Sequence, residues 1–226
     1  MFITVIYRII NRIIMFKLIN SENEFERKNV KDVYNKISGH FDKTRYHSWP
    51  KIEEFSKLFL KGSLIADIGC GNGRNCKLRD DCIFHGYDNC EGFVNICLKQ
   101  GITCKKSNIL NIDCCDNNYD YTMCIAVIHH LSTEERRIQA IKELLRITKP
   151  GGEILIYVWA KEQKKFKDYD TKDIFVPWNL QKRYTNQEES IKIYNRYYYI
   201  FRIHRDILSL YFSSNNFFVL QLLNYF

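Results

Sequence analysis

The chain has 226 residues, long enough for one sizeable domain with a packed core and short for two. Hydrophobic residues at 46% with charged residues at 27% exclude intrinsic disorder as the default. A net charge of +8 favours polyanionic partners such as RNA through long-range attraction and carries no information about the fold.

The first twenty residues, MFITVIYRIINRIIMFKLIN, are apolar and basic. Arg8 and Arg12 fall in the middle, where each costs about 2.5 to 3.5 kcal/mol in a membrane, so no membrane span is expected. Thr4, Arg8, Asn11 and Arg12 share a helical face, the pattern of an amphipathic helix. An organelle address and an alternative start at Met15 stay open beside it. Residues 1–20 are therefore set apart as an extension, and 21–226 are expected to form a single domain.

Phe25, Val30, Val33, Tyr34 and Ile37 recur at helical spacing and predict a helix from about 22 to 38, ended by Gly39. Pro50 suits a first helical position, and Ile52, Phe55, Leu58 and Phe59 predict a second helix closed by Gly62. The run SLIADIGCGNGRN then reads as a buried strand followed by a sharp turn, since Gly69, Gly71 and Gly73 permit positive φ and a close backbone approach to a ligand. A dinucleotide fingerprint reads G-x-G-x-x-G. Here the spacing is G-x-G-x-G with Asp67 just ahead, which suits a ligand bearing an ammonium group, such as S-adenosylmethionine, over an anionic pyrophosphate.

IFHGYD predicts a second strand ending in Asp88, placed to accept hydrogen bonds from ribose hydroxyls. EGFVNICLKQG reads as a helix, ITCKKSNI as a third strand and YDYTMCIAV as a fourth. Asn108, at the end of the third, is either an adenine contact or a turn residue. Ser132 and Glu135 have capping-box spacing, worth about 1 kcal/mol. Ile138, Ile141, Leu144, Leu145 and Thr148 give that helix its inward face until KPGG stops it. EILIYVWA is a continuous apolar strand, buried on both faces. The polar, basic stretch from 161 to about 196 reads as a long lid, with Lys161, Lys164, Lys165, Lys167, Lys182 and Arg183 as candidate phosphate contacts. HRDILSLYFSSN predicts a helix and FFVLQLLNYF a final strand. This alternation implies an α/β fold with a doubly wound, mostly parallel sheet, its ligand at the carboxyl ends of the strands.

All nine cysteines lie between Cys70 and Cys124 with no C-x-x-C pair, so neither a metal site nor a disulfide framework is expected, only reduced thiols.

Asp67, Gly69, Gly71, Gly73 and Asp88 match the D/E-x-G-x-G-x-G and second-strand acid of class I S-adenosylmethionine-dependent methyltransferases, which the chain resembles. VYNKISGHFDKTRYHSWP, IAVIHHLSTEERR with IYVWA, and DIFVPWNL narrow the resemblance to the eukaryotic tRNA wobble-uridine carboxymethyluridine methyltransferases, over residues 30 to 225. Members of that family esterify the carboxylate of 5-carboxymethyluridine. The resemblance implies S-adenosyl-L-methionine as cofactor, held by Asp67, Gly69, Cys70, Gly71, Gly73, Asp88, Asn108, Ile109 and Ala126. It also implies the tRNA anticodon loop as substrate and a cytoplasmic location. A small zinc-binding activator protein is the implied partner, on a sheet edge where Ile102, Cys104 and Ile109 are candidate contacts; shielding of that edge by Lys105 and Lys106 is the simpler reading.

Two departures stand out: the family usually has an acid at Asn108 and continues past Phe226 into a last antiparallel strand. A carboxylate nucleophile is already ionised at neutral pH and needs no general base. It does need a cation, and Arg45 is the expected one. Tyr46, Trp49 and Trp178 are candidate substrate contacts, the tryptophans as stacking platforms in loops. His129 and His130 follow the fourth strand, one expected to face the site and the other the core. A small-molecule methyltransferase and a catalytically silent scaffold remain as rival readings.

Overall fold

The computed structural model describes residues 23–45, 47–163, 166, 169–180, 193–202 and 217–223, the last stretch by its backbone. The extension 1–20, Tyr46, the lid residues Lys164, Lys165, Lys167, Lys182 and Arg183, and the helix expected at 204–215 lie outside them.

The first helix, α1, runs from Glu24 to Thr44 as an α-helical turn (Glu24–Glu26), a π-helical segment (Arg27–Lys31) and a regular α-helix (Asp32–Thr44). It passes through Gly39 instead of stopping there, since Gly39 lacks the positive φ of a helix-ending glycine. Helix α2 (Pro50–Ser56) is shorter than expected: Leu58 is exposed, while Ile52, Phe55 and Phe59 are buried.

Strands β1 (Leu64–Ile68), β2 (Ile83–Asp88), β3 (Cys104–Lys106), β4 (Tyr119–Ile125), β5 (Thr148–Trp159) and β8 (Phe217–Leu223) form one sheet in the order β3-β2-β1-β4-β5-β8. Every pairing in it is parallel. Helices α3 (Glu91–Lys99) and α4 (Glu134–Ile147) are the crossovers. The apolar runs are unbroken because both faces of the sheet are covered. Ala66, Ile68 and Ile156 pack with Ile141 and Leu144 of α4 on one face, and Ile65, Met123 and Leu155 pack with Ile52 and Phe55 of α2 on the other.

Three local expectations are corrected. The side chain that caps α4 is Thr133, which accepts from the Arg136 amide, because Ser132 is held instead by Glu26. KPGG lies within the start of β5, with an irregularity in its pairing to β4. The stretch taken for a lid contains an antiparallel ribbon, β6 (Asp173–Asn179) and β7 (Ile193–Tyr199). Ile174, Val176 and Trp178 are buried while Asp173, Phe175, Pro177 and Asn179 are exposed, a period-two pattern masked by the basic composition around it. β3 is the sheet edge, as expected, but Ile102, Cys104 and Ile109 are buried, while Lys105 and Lys106 are both exposed.

Candidate active site and cofactor cavity

A cavity of about 830 Å³ opens at the carboxyl ends of β1, β2 and β4, where the strand order reverses between β1 and β4. α1 and the β6–β7 ribbon form its opposite wall.

The turn after β1 sets the cofactor end. Gly69 has φ +72°, and a Cβ there would lie 2.2 Å from a methyl of Val127, so neither the angle nor the space admits a side chain. The Gly71 amide donates to Asp88 Oδ2 and the Cys90 amide to Asp88 Oδ1, each at 2.8 Å. A carboxylate offers about four lone-pair sites, so Asp88 keeps acceptor capacity towards the cavity it lines, as a ribose diol requires. Burial pushes its pKa up to about 6. Asn108 Oδ1 accepts from the Leu110 amide at 3.1 Å, which makes it a turn residue, while its side-chain NH2 remains to donate to a base edge in the cavity. Cys70, Ile109 and Ala126 also line the wall. Ala126 has φ +60°, a strained angle held by the hydrogen bond its N–H donates to the Tyr157 carbonyl at 2.7 Å.

Asp67 and Gly73 are not among the lining residues. Gly73 packs against Ile102 and Cys97. Asp67 is fully buried one layer beneath the loop; its Oδ1 has no hydrogen-bond partner among the described residues, and burial pushes its pKa up to about 7. A buried carboxyl with one oxygen unpartnered among the described residues, only partly offset by Arg74, Asn75 and the Cys76 thiol, fits a ligand with a positive end nearby. The residues present therefore suit S-adenosylmethionine.

The acceptor end is aromatic and cationic. Asn72 Nδ2 donates to Asp42 Oδ1 and to the Arg45 carbonyl, tying the cofactor loop to the end of α1. Arg45, on the exposed rim, and Arg196, buried on β7, have their guanidiniums 5.0 and 4.7 Å from the centroid of Trp178. Trp178 is on strand β6, not in a loop; it is buried, stacks on Phe41, and donates to His40 Nδ1 at 3.1 Å. Arg196 also sits by the rings of Tyr34 and Tyr198, and its Nε has no hydrogen-bond partner among the described residues. Partial desolvation and then the Arg196 charge pull the Arg45 pKa below its usual value. Trp49 lines the cavity with Arg74 over its ring.

The two histidines separate. His130 lines the cavity, whereas His129 is fully buried, stacked on Tyr198, with neither ring nitrogen hydrogen-bonded among the described residues. His130 Nδ1 lies 2.7 Å from the Tyr197 carbonyl, which only accepts, so Nδ1 carries the proton. Nε2 then accepts from Tyr34, and Tyr34 accepts from Tyr198. Burial drives the His130 pKa down to about 3.

Sequence reasoning missed Arg196, Tyr34, Tyr198 and Phe41. The signal was the alternation in NRYYY, which puts Arg196 and Tyr198 on one face of a strand.

Residues 66–156 match the methyltransferase domain family. The chain is 39% identical to the tRNA (carboxymethyluridine(34)-5-O)-methyltransferase of Schizosaccharomyces pombe over 196 residues, 80% of this chain and 86% of that one. It is 42% identical over 146 residues to the protein of the same name from Arabidopsis thaliana, covering 65% of this chain and 36% of the relative. With the ALKBH8 enzyme of that name from Mus musculus it shares 43% identity over 141 residues, 62% of this chain but 21% of the mouse protein. A SAM-dependent methyltransferase from Methanosarcina mazei superposes with a TM-score of 0.55 at 15% identity, over 72% of this chain and 82% of that one, a likeness of fold alone.

Proposed function

The chain belongs to the family of tRNA (carboxymethyluridine(34)-5-O)-methyltransferases, and from that membership we infer that it transfers a methyl group from S-adenosylmethionine to the carboxylate of 5-carboxymethyluridine at the wobble position of tRNA. The observation that carries this reading is the pairing, in one cavity, of a cofactor half built on Gly69 and Asp88 with an acceptor half holding Arg45 and Arg196, where the wall histidine His130 has both ring nitrogens hydrogen-bonded.

When bound, S-adenosylmethionine supplies an electrophilic methyl carbon. Gly69, Gly71 and the adjoining Cys70 would hold its amino-acid end, with Asp67 buried one layer beneath them; Asp88 would receive the ribose, and Asn108 with Ile109 the adenine. The substrate carboxylate, with a pKa of about 4, arrives ionised. Arg196 takes it in charge-assisted hydrogen bonds and Arg45 holds the flanking anionic chain at the rim. Trp49 and Tyr46 are the candidate rings for the base, while Trp178, stacked on Phe41 and faced by both guanidiniums, positions Arg45 and Arg196. His130, neutral and bonded through both nitrogens, holds Tyr34 in place and moves no proton; His129 supports it from behind. Alignment and exclusion of water then carry the rate, and alignment alone is capable of about 7 to 11 kcal/mol.

Residues 21–226 act as one methyltransferase domain in this reading, with the basic stretch at 161–196 contributing phosphate contacts, among them Lys161. A small zinc-binding activator protein, inferred from the family, pairs with the β3 edge through its backbone and Lys105, since the inward side chains of β3 are spent on the core. A cytosolic location follows from the tRNA substrate; no helix among the described residues is long and apolar enough to cross a membrane.

The test is methyl transfer from labelled S-adenosylmethionine to tRNA carrying 5-carboxymethyluridine, with and without the activator. Label in a base-labile ester at the wobble position is the expected outcome. Incorporation only into small metabolites, or none into tRNA at any activator concentration, overturns the reading.

A further inference from the structure

Cys70 in the cofactor loop, Cys97 in the last turn of α3 and Cys104 at the start of β3 are far apart in sequence, yet their sulfurs converge. Sγ of Cys70 lies 3.6 Å from that of Cys104 and 4.0 Å from that of Cys97, and all three sulfurs lie within 4.8 Å of one another. A disulfide needs about 2.05 Å, so these are three thiols. A metal ion about 2.3 Å from each of three sulfurs spaces them about 4.0 Å apart in a trigonal plane and about 3.8 Å apart in a tetrahedron. The thiols already stand close to that spacing.

The surroundings keep the space clear for sulfur. A Cβ at residue 86 would fall 2.8 Å from Cys70 Sγ and 3.4 Å from Cys104 Sγ, and one at residue 73 would fall 2.9 Å from Cys97 Sγ, so Gly86 and Gly73 admit the trio. Val94 and Ile102 form apolar walls. Among the described residues no histidine, carboxylate or further cysteine joins the cluster as a fourth ligand. Soft thiolate ligands suit Cu(I), zinc and iron–sulfur clusters, and with zinc in closed sites taking four ligands, Cu(I) is the ion that three sulfurs satisfy.

We propose that Cys70, Cys97 and Cys104 form a trigonal binding site for Cu(I), which ties the cofactor loop to α3 and the edge strand. Each coordinating thiol loses its proton to solvent as its sulfur bonds the ion, and neither sulfur nor metal changes oxidation state. Access is from the sheet edge, where Cys104 adjoins the exposed residues Gly101, Thr103 and Lys105. The site lies away from the acceptor end of the cavity and shares Cys70 with the cofactor loop, so copper binding is measured on the cofactor-free chain.

The experiment titrates the reduced full chain, under anaerobic conditions, with Cu(I) buffered by bicinchoninate. One equivalent is expected to bind, with affinity at least 100-fold weaker in Cys97→Ser and in Cys104→Ser. It should be unchanged when the adjacent cysteines outside the cluster are replaced together, Cys114→Ser with Cys115→Ser. Because a buried Cys→Ser change is capable of unfolding the domain, X-ray absorption on the copper-loaded wild-type chain provides the second measurement. Three sulfur neighbours at about 2.3 Å support the site. Two sulfurs, nitrogen or oxygen ligands, copper that survives loss of Cys97 and Cys104, or no stoichiometric binding overturns it.

Discussion

Tyr34 Oη lies 3.0 Å from His130 Nε2, and the opposite ring nitrogen of His130 is committed to the Tyr197 carbonyl at 2.7 Å. The histidine on the cavity wall is thus fixed in one tautomer with its basic nitrogen occupied. With its pKa driven down to about 3 by burial, it stays neutral at every pH above that value. At saturating cofactor and tRNA, kcat is expected to be flat from about pH 6 to pH 8, the range in which an ordinary histidine titrates. A tenfold fall per pH unit below about 6.5 would show that a histidine base is at work. Tyr34→Phe leaves Nε2 unpaired and is expected to cost about 1 to 3 kcal/mol of stability, read by denaturant unfolding, without creating such a step.

Asp67 makes an opposite kind of prediction. Its pKa stands at about 7 in the fold against 3.8 ordinarily, with Asp88 at about 6, and burial is the chief cause of both shifts. Between the unfolded and folded pKa values the native state keeps a proton that the unfolded chain has released. Stability from these groups is therefore full below about pH 4 and is lost as pH rises through 6 and 7. Asp67→Asn removes the penalty. It should raise Tm of the cofactor-free chain at pH 7.5 by about 2 to 4 °C, for a gain of about 1 kcal/mol, while weakening S-adenosylmethionine binding at least about tenfold. A variant that is less stable and binds the cofactor as tightly as wild type would remove Asp67 from the site.

The N-terminal end of α1 is pinned by Glu26. Its carboxylate accepts from Arg136 Nε and Nη2 at 2.9 and 2.7 Å and from the amide and hydroxyl of Ser132, with side chains only 12% and 7% exposed for Glu26 and Arg136. Removing one partner of a buried pair strands the other, which costs about 3 to 5 kcal/mol. Glu26→Ala should lose roughly that amount in denaturant unfolding and loosen the wall that carries Tyr34. A loss within 0.5 kcal/mol, the range of about any surface substitution, would mean the pair contributes nothing net.

Much of this architecture is legible in the residues, because the signals are local. IFHGYD bounds β2 to the residue, and the three glycines after β1 all adopt positive φ. The misreadings are tertiary. Ser132 has the right spacing for a capping box, yet Glu26, 106 positions away, claims it, so Thr133 caps the helix. Arg196 escaped notice because its meaning depends on Trp178, which it approaches only when β6 and β7 pair. The three converging thiols were hidden for the same reason: ligand spacing along a chain detects metal sites made within one motif, not those assembled by a parallel sheet.

Arg196 and Arg45 stand at different depths, one buried and one exposed, and under the proposed function their variants should separate accordingly. Arg196 is buried and caged by Tyr34, Trp178 and Tyr198, with Nε aimed at no protein acceptor among the described residues, so a carboxylate it meets is held in a dry site. Loss of one partner of a buried charge pair costs about 2 to 5 kcal/mol. Arg196→Met should therefore reduce kcat/KM for tRNA by about 100-fold or more at unchanged S-adenosylmethionine affinity. Arg196→Lys should recover only part of that, since an ammonium cannot reproduce the two-pronged fork. Arg45 is exposed at the rim, where salt screens it; Arg45→Ala should cost about tenfold at low salt and progressively less as salt is raised. If Arg45→Ala proves the more damaging of the two and its effect ignores ionic strength, the carboxylate is held at the rim and Arg196 is a packing residue.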